Sequence, residues 1–280
     1  MLSIGSDDRH RALGGLAAER HRAGAASMSA AGRIRVGIGG WVYPPWRGTF
    51  YPKGLPQAEE LAYASRRVTA IEINGTFYGL QKPASFRRWH DETPEDFVFS
   101  LKGPRFITHR RDLATIGPAV DRFLASGLSE LQNKLGPILW QFAPTIPLEP
   151  ASFAAFVELL PGEIDGRRLR HVVELRQPGF LDAAIVALLE KHCIAVARVD
   201  DDKYPALTEI TADFAYFRLR RCAVAEATGY PPASLDDWAR EFRTQSAEGA
   251  RDCFVYFIDG GKVRAPAAAQ ALLQRLALPG

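Results

Sequence analysis

From Ile34 onward, eight short runs of β-branched and aromatic residues alternate with stretches of helical periodicity. That alternation is the mark of βα units, because parallel strands need a long crossover to bring the chain back to the same edge of the sheet. The runs are Ile34–Gly39, Val68–Asn74, Phe97–Lys102, Pro137–Phe142, His171–Arg176, Ile194–Asp200, Phe214–Arg220 and Cys253–Ile258. Helices are expected near 57–66, 83–91, 117–134, 150–160, 180–192, 233–247 and 266–277, with only a short turn near 205–210 after the sixth strand. Prolines 83, 118, 150 and 232 sit at expected helix starts, where a missing N–H is harmless, and glycines 136 and 249 near expected ends. Eight such units in 280 residues match the ~250 residues of one α/β barrel. The expected fold is therefore a single (β/α)8 TIM-like barrel, with parallel strands inside and helices outside.

Residues 1–32 break the pattern. They are rich in Ala, Gly, Ser and Arg and lack the apolar core of a secretory signal, so they read as a flexible N-terminal extension to a barrel over 33–280. Met28 is an alternative start, and residues 1–27 are expected to be dispensable. No apolar run approaches the ~20 residues of a membrane helix. Cys193, Cys222 and Cys253 lack the paired spacing of a disulfide framework, a redox dithiol or a zinc site, which fits reduced thiols and a cytoplasmic protein. The net charge is only +3, but the cations are mostly Arg, the better residue for bidentate recognition of carboxylate or phosphate.

Barrel strands face helices on one side and a packed lumen on the other, so both faces should be apolar. Several of these runs carry polar pairs two residues apart: Glu72 and Asn74, Ser100 and Lys102, Glu174 and Arg176, Arg198 and Asp200, Arg218 and Arg220. Each pair shares a face near the C-terminal end of its strand, where barrel enzymes place their sites. Glu72, Lys102, Glu174, Arg176, Arg198, Asp200 and Arg218 are expected to converge there, three acids against four bases. Buried ion pairs contribute little net stability compared with apolar packing, so a cluster this large points to a small anionic ligand rather than to a purely structural network. Arg176, Arg218 and Lys102 would hold the anion, and Glu174 or Glu72 would move a proton.

Three loops add to that end of the barrel. Residues 40–56 carry Trp41, Tyr43, Trp46, Phe50 and Tyr51 among four prolines, a stiff aromatic segment suited to walling a pocket or plugging the barrel mouth. Phe77 and Tyr78 follow the second strand. The third loop holds Arg105, His109, Arg110 and Arg111, a set suited to phosphate or to plain solvation. Gly37, Gly39 and Gly40 fail as a dinucleotide motif, since Val42 replaces the third glycine and no helix follows. No phosphate-binding P-loop, nucleophile elbow or His-Glu-x-x-His zinc motif is present. No metal or cofactor is expected, because the interleaved Arg and Lys would repel a hard cation from the acids.

The runs VGIGGWVYPPWRGTFYP, EINGTFY, FVFSLKGPRFITH and KLGPILWQFAP, with the Glu174-x-Arg176 pair, resemble the YecE-like family, domain of unknown function 72, over residues 34 to about 278. The resemblance implies a barrel and adds Gln141 and Thr76 to the positions already singled out. Strand periodicity, the loops and the resemblance together give Trp41, Tyr43, Asn74, Phe77, Tyr78, His109, Gln141, Arg176, Arg198 and Arg218 as candidate ligand contacts, beside Glu72, Lys102, Glu174 and Asp200 as candidate reactive groups. The family's usual His after Glu-x-Arg is replaced here by Gln177, and Arg220 and Arg221 make a more basic rim. A nucleic-acid-binding or phosphodiesterase barrel, and a non-catalytic ligand-binding module, remain the alternatives at this level.

Overall fold

The computed structural model describes residues 31–278 except residue 249. The N-terminal extension, the alternative start at Met28 and the expected role of Gly249 lie outside the described residues. Eight parallel strands close into a barrel: β1 (Ile34–Gly39), β2 (Ala70–Ile73), β3 (Val98–Lys102), β4 (Leu135–Gln141), β5 (His171–Glu174), β6 (Ala195–Asp200), β7 (Phe214–Leu219) and β8 (Asp252–Phe257). Chain order is barrel order, and β8 returns to pair with β1, with Ile34 opposite Cys253 and Ile38 opposite Phe257. Closure leaves no strand edge exposed. Among the described residues, no helix is long and apolar enough to cross a membrane.

Strand alternation divides the core into two shells. Val36, Ile38, Ile71, Phe99, Leu101, Trp140, Val173, Phe217, Leu219, Val255 and Phe257 face outward beneath the helices and are fully or almost fully buried. Ala70, Leu139, Val172, Ala195, Ala197, Phe214, Tyr216, Phe254 and Tyr256 fill the lumen. At its N-terminal end Arg170 lies over the rings of Phe214 and Phe254, 5.6 and 5.5 Å from their centroids. The barrel is thus solid below, and its open end lies at the strand C-termini.

The helical stretches form largely where expected, with one correction. The expected helix over 117–134 is two pieces, Gly117–Leu124 and a 3-10 segment Leu128–Lys134. Gly127 between them has φ +108°, and a Cβ there would lie 2.7 Å from the backbone of Pro83, so the chain must break at this close approach. A small hairpin, Glu163–Ile164 with Arg167–Arg168, precedes β5 around Asp165 and Gly166, both at positive φ. Asp-Gly is the dipeptide that such a two-residue turn requires, so this signal was present in the sequence. Between β6 and β7 the chain forms no helix, in keeping with the short turn expected there.

The sixth strand overturns one geometric expectation. Arg198 is in register with Phe217, and Asp200 with Leu219, both outward-facing residues, whereas Ala195, Ala197 and Val199 take the lumen. Arg198 binds Glu241 on the helix Pro232–Ala247 at 2.9 Å and lies over Trp238. Asp200 accepts from Tyr230 Oη at 2.9 Å and pairs with Arg221 at 3.0 Å. A period of two places Arg198 and Asp200 on one face without saying which face. Two alanines fit the crowded lumen, and the long arginine reaches solvent at the helix layer.

Candidate functional site

Just below the open end, Arg218 of β7 bridges two carboxylates. Its Nε and Nη2 donate to the two oxygens of Glu72 at 3.0 Å each, and its Nη1 donates to Glu174 Oε2. Tyr216 Oη donates to Glu72 Oε2 at 2.8 Å, while Gln141 Nε2 at 3.0 Å and Arg176 Nε at 2.5 Å donate to Glu174 Oε1. Every carboxylate oxygen in this layer therefore has a donor. Glu72 and Glu174 are fully buried and Arg218 is 3% exposed. Burial alone would raise the Glu174 carboxyl, but the charges of Arg218 and Arg176 and the hydrogen bonds from Gln141 and Arg176 outweigh it and hold it at about 2. Burial works against the charge on Arg218 too, and the two glutamates overcome it, so this guanidinium is fixed in its charged form.

Above this layer a cavity of about 430 Å³ opens at the barrel mouth. Asn74, Phe77, Tyr78, Lys102, Gln141, Arg176 and Arg218 line it, so seven of the residues singled out from the sequence meet around one space. The local chain explains their placement. Each of β2 and β3 ends in a single helical turn, Gly75–Tyr78 and Arg105–Thr108, which folds the following residues over the rim. Thr76 Oγ1 donates to Lys102 O at 2.7 Å and to Ile73 O at 3.1 Å, locking the two strand ends together. Gly39 floors the same mouth. A Cβ there would come within 2.7 Å of Ile258 and 3.2 Å of Asn74 Nδ2, so the glycine that failed as a nucleotide motif keeps this corner open.

Lys102 is 8% exposed, and its Nζ lies 3.8 Å above the Phe77 ring with no hydrogen-bond or ion-pair partner among the described residues. Burial, joined by the neighbouring charge of Arg218, lowers its pKa to about 8 despite Glu72 and Glu174. His109 stands behind Phe77, ring to ring at 5.4 Å, and its pKa is lowered by burial and by Lys102. His109, like Arg105, Arg110 and Arg111, is exposed and does not line the cavity, contrary to its expected role as a ligand contact.

The aromatic loop 40–56 divides its labour. Trp46 and Tyr51 are buried core, Trp46 packing edge-on against Tyr43, Phe50 and Tyr51. Trp41 and Val42 instead wall a second cavity of about 310 Å³ with Trp89, which adjoins the first through Gly39, Asn74 and Lys262. Tyr43 does not line either cavity, but its ring lies 4.9 Å from Lys262 Nζ.

Two residues at the mouth escaped the strand argument. Lys262 follows the Asp259–Gly260–Gly261 turn after β8, and Trp46 Nε1 donates to its carbonyl at 3.0 Å. Tyr204 lies between the guanidinium groups of Arg176 and Arg220, 4.4 and 5.4 Å from their centres. Both come from loops, where no periodicity marks a face. The signal available for Lys262 was its place directly after the last strand, at the same end of the barrel as the other candidates.

A closed parallel barrel with a charged mouth above an arginine-bridged pair of carboxylates defines the class of molecule, and the comparisons supply the family. A family model described as "Protein of unknown function DUF72" matches residues 35–280, and the chain belongs to that family. It is 32% identical over 148 residues to the UPF0759 protein YecE of Escherichia coli K12, and 31% identical over 121 residues to the UPF0759 protein YunF of Bacillus subtilis. Those matches cover 52% and 40% of this chain and 50% and 40% of the relatives, so the chain spans about half the length, or less, of the curated relatives it matches. Among solved structures, a DUF72 family protein from Thermotoga maritima superposes with a TM-score of 0.69 at 22% identity, covering 86% of this chain and 98% of that one. One from Enterococcus faecalis gives 0.68 at 19%, covering 88% and 96%. At these identities the likeness establishes the fold.

Proposed function

We propose that the barrel mouth binds a small phosphate- or carboxylate-bearing molecule and acts on it as an enzyme. The observation that carries this reading is the distribution of free cations. Lys102 Nζ, Lys262 Nζ and the outer nitrogens of Arg176 border one cavity without a hydrogen-bonded carboxylate among the described residues, while Arg218 below them is committed to Glu72 and Glu174. A low-dielectric recess lined by unpaired cations concentrates an anion, and two adjacent cations can grip two of its oxygens.

This arrangement changes the roles expected from the sequence. Arg218 orients the site rather than gripping the ligand. A carboxylate held at about 2 accepts a proton poorly at neutral pH, so Glu174 serves as the counter-charge that fixes Arg176 and Arg218. Proton movement falls to Lys102, poised at about 8, while His109 stays outside the cavity lining. Arg198 and Asp200 have no part in the cavity.

Thermal shift of the wild type against inorganic phosphate, nucleotides, sugar phosphates, di- and tricarboxylates and short oligonucleotides tests the reading. At least one small anion should stabilise the protein, and Arg176→Ala should weaken that anion's binding by about 10–100-fold, as expected for one charged hydrogen-bonding partner. A wild type that responds to none of the small anions would refute it, and a response to oligonucleotides alone would favour the nucleic-acid alternative.

A further inference from the structure

Resting on that anion site, we infer that Lys102 is a nucleophile which forms an imine with the carbonyl group of an anionic carbonyl compound, a keto acid or a sugar phosphate. Two buried lysines, Lys134 and Lys102, differ in what surrounds their ammonium groups. Lys134 Nζ donates to His90 O at 2.5 Å, to Thr93 O at 2.8 Å and to Thr93 Oγ1 at 3.4 Å, which is how a lysine buried for structure is satisfied. Lys102 is also buried, yet its Nζ makes none of these bonds and faces the mouth cavity.

Its isolation is built in. The carboxylates of Glu72 and Glu174 are near enough to act on its charge, but their four oxygens are taken by Arg218, Arg176, Tyr216 and Gln141. A lysine needed only to neutralise those acids would hold one of them, and here three other residue types do so instead. What remains for the ammonium form is the face of Phe77, set against desolvation and two guanidinium groups. Those surroundings favour the neutral amine, which is the nucleophilic form.

The same surroundings select the substrate. Neutral Nζ attacks a carbonyl carbon, a C–N bond forms, and the C=O π pair moves to oxygen, which is protonated to give a carbinolamine. The hydroxyl then leaves as water while the nitrogen lone pair forms C=N. One amine and one carbonyl compound thus give one imine and one water, with no oxidant or other co-reactant. A protonated imine beside Arg218 and Arg176 is unfavourable unless the bound molecule brings negative charge, so a carboxylate or phosphate near the carbonyl belongs to the requirement. Arg176 and Lys262 border the same cavity and are placed to hold it.

Reductive trapping decides the matter. The full-length protein is incubated at pH 8 with pyruvate, 2-oxoglutarate, glyceraldehyde 3-phosphate or ribose 5-phosphate and sodium cyanoborohydride, and labelled lysines are located by peptide mass spectrometry. At that pH about half of Lys102 is neutral, against roughly one part in 300 for an ordinary lysine, so its labelling should exceed that of exposed Lys53 and Lys203 by about 100-fold with at least one probe. The keto acids and the sugar phosphates distinguish the two sources of carbonyl. Labelling of Lys102 no faster than that of Lys53 and Lys203 with every probe would overturn the inference. Lys102→Met, checked for an unchanged circular dichroism spectrum, should lose the fast adduct, and persistence of fast labelling elsewhere in that variant would also overturn it. Pyrophosphate and citrate, which offer no ketone or aldehyde, separate the two readings: stabilisation by them, together with no fast Lys102 adduct from any of the four carbonyl probes, refutes the imine and leaves the anion site standing.

Discussion

Arg218 and Arg176 carry the same charge and touch the same glutamate, but they stand in different energetic positions. Removing Arg218 leaves Glu72 with Tyr216 alone and Glu174 with Arg176 and Gln141, two carboxylates in a dry lumen short of their main counter-charge. Breaking a buried ion pair in this way typically costs about 3–5 kcal/mol, so Arg218→Met should lower urea-unfolding stability by at least that much. Arg176→Ala leaves Glu174 with Arg218 and Gln141, and the loss should stay near 1 kcal/mol. Equal losses for the two variants would contradict this division of roles. Both arginines, Glu72, Glu174 and Lys102 were legible as residues that an apolar strand should not contain. Which arginine keeps nitrogens free beside the cavity and which is spent on the glutamates was not legible, because both sit at a C-terminal strand end and differ only in their tertiary partners.

At the scale of elements, the period of two was reliable on most strands and ambiguous on β6. On β2, β3, β5 and β7 the polar pair faces the lumen because the alternate residues Ile71, Leu101, Val173 and Phe217 are large and apolar and occupy the helix-facing shell. On β6 the alternate residues Ala195 and Ala197 are small, and the preference reverses. The Arg198–Glu241 pair is about one-third exposed on each side, so solvent screens it and its contribution stays below about 1 kcal/mol. Arg198→Ala should therefore change the melting temperature by no more than ~3 °C and leave anion-induced thermal shifts unaltered. Loss of ligand response in that variant would show that the strand communicates with the mouth. The aromatic loop 40–56 was legible as a wall or a plug and proves to contain both functions, with Trp46 in the core holding the carbonyl of Lys262 and Trp41 lining a cavity.

For the whole molecule, the charged lumen predicts how stability follows pH. Glu174 has a folded pKa of about 2, below the ordinary 4.5, so its contribution is fully present above the ordinary value and is lost as pH falls from about 4.5 towards 2. Lys102 acts oppositely. Its folded pKa of about 8 lies below 10.5, so burial of the charged form costs stability below pH 8, and that cost is relieved as pH rises from about 8 to 10.5. Shifts of this size correspond to about 3 kcal/mol each at most. Chemical denaturation across pH 2–11 should show a steep acid limb. Because buried Cys222 and Cys253, with thiols pushed up to about 12, oppose Lys102 above pH 9, the lysine's effect is read as a difference: the wild type should gain stability relative to Lys102→Met between pH 8 and 10.5, and a constant difference over that range would refute the assignment. By itself the sequence determined the barrel, since eight βα repeats in a chain of this length have essentially one closed solution, and it determined most of the residues at the mouth, since polar pairs in strands are costly unless they are used. Only the tertiary structure decided which face β6 turns inward, which cations are left unpaired, that Lys262 reaches the cavity and that Tyr204 stacks on Arg176 and Arg220, because side-chain pairing and loop paths depend on neighbours far apart in the chain and leave no period to read.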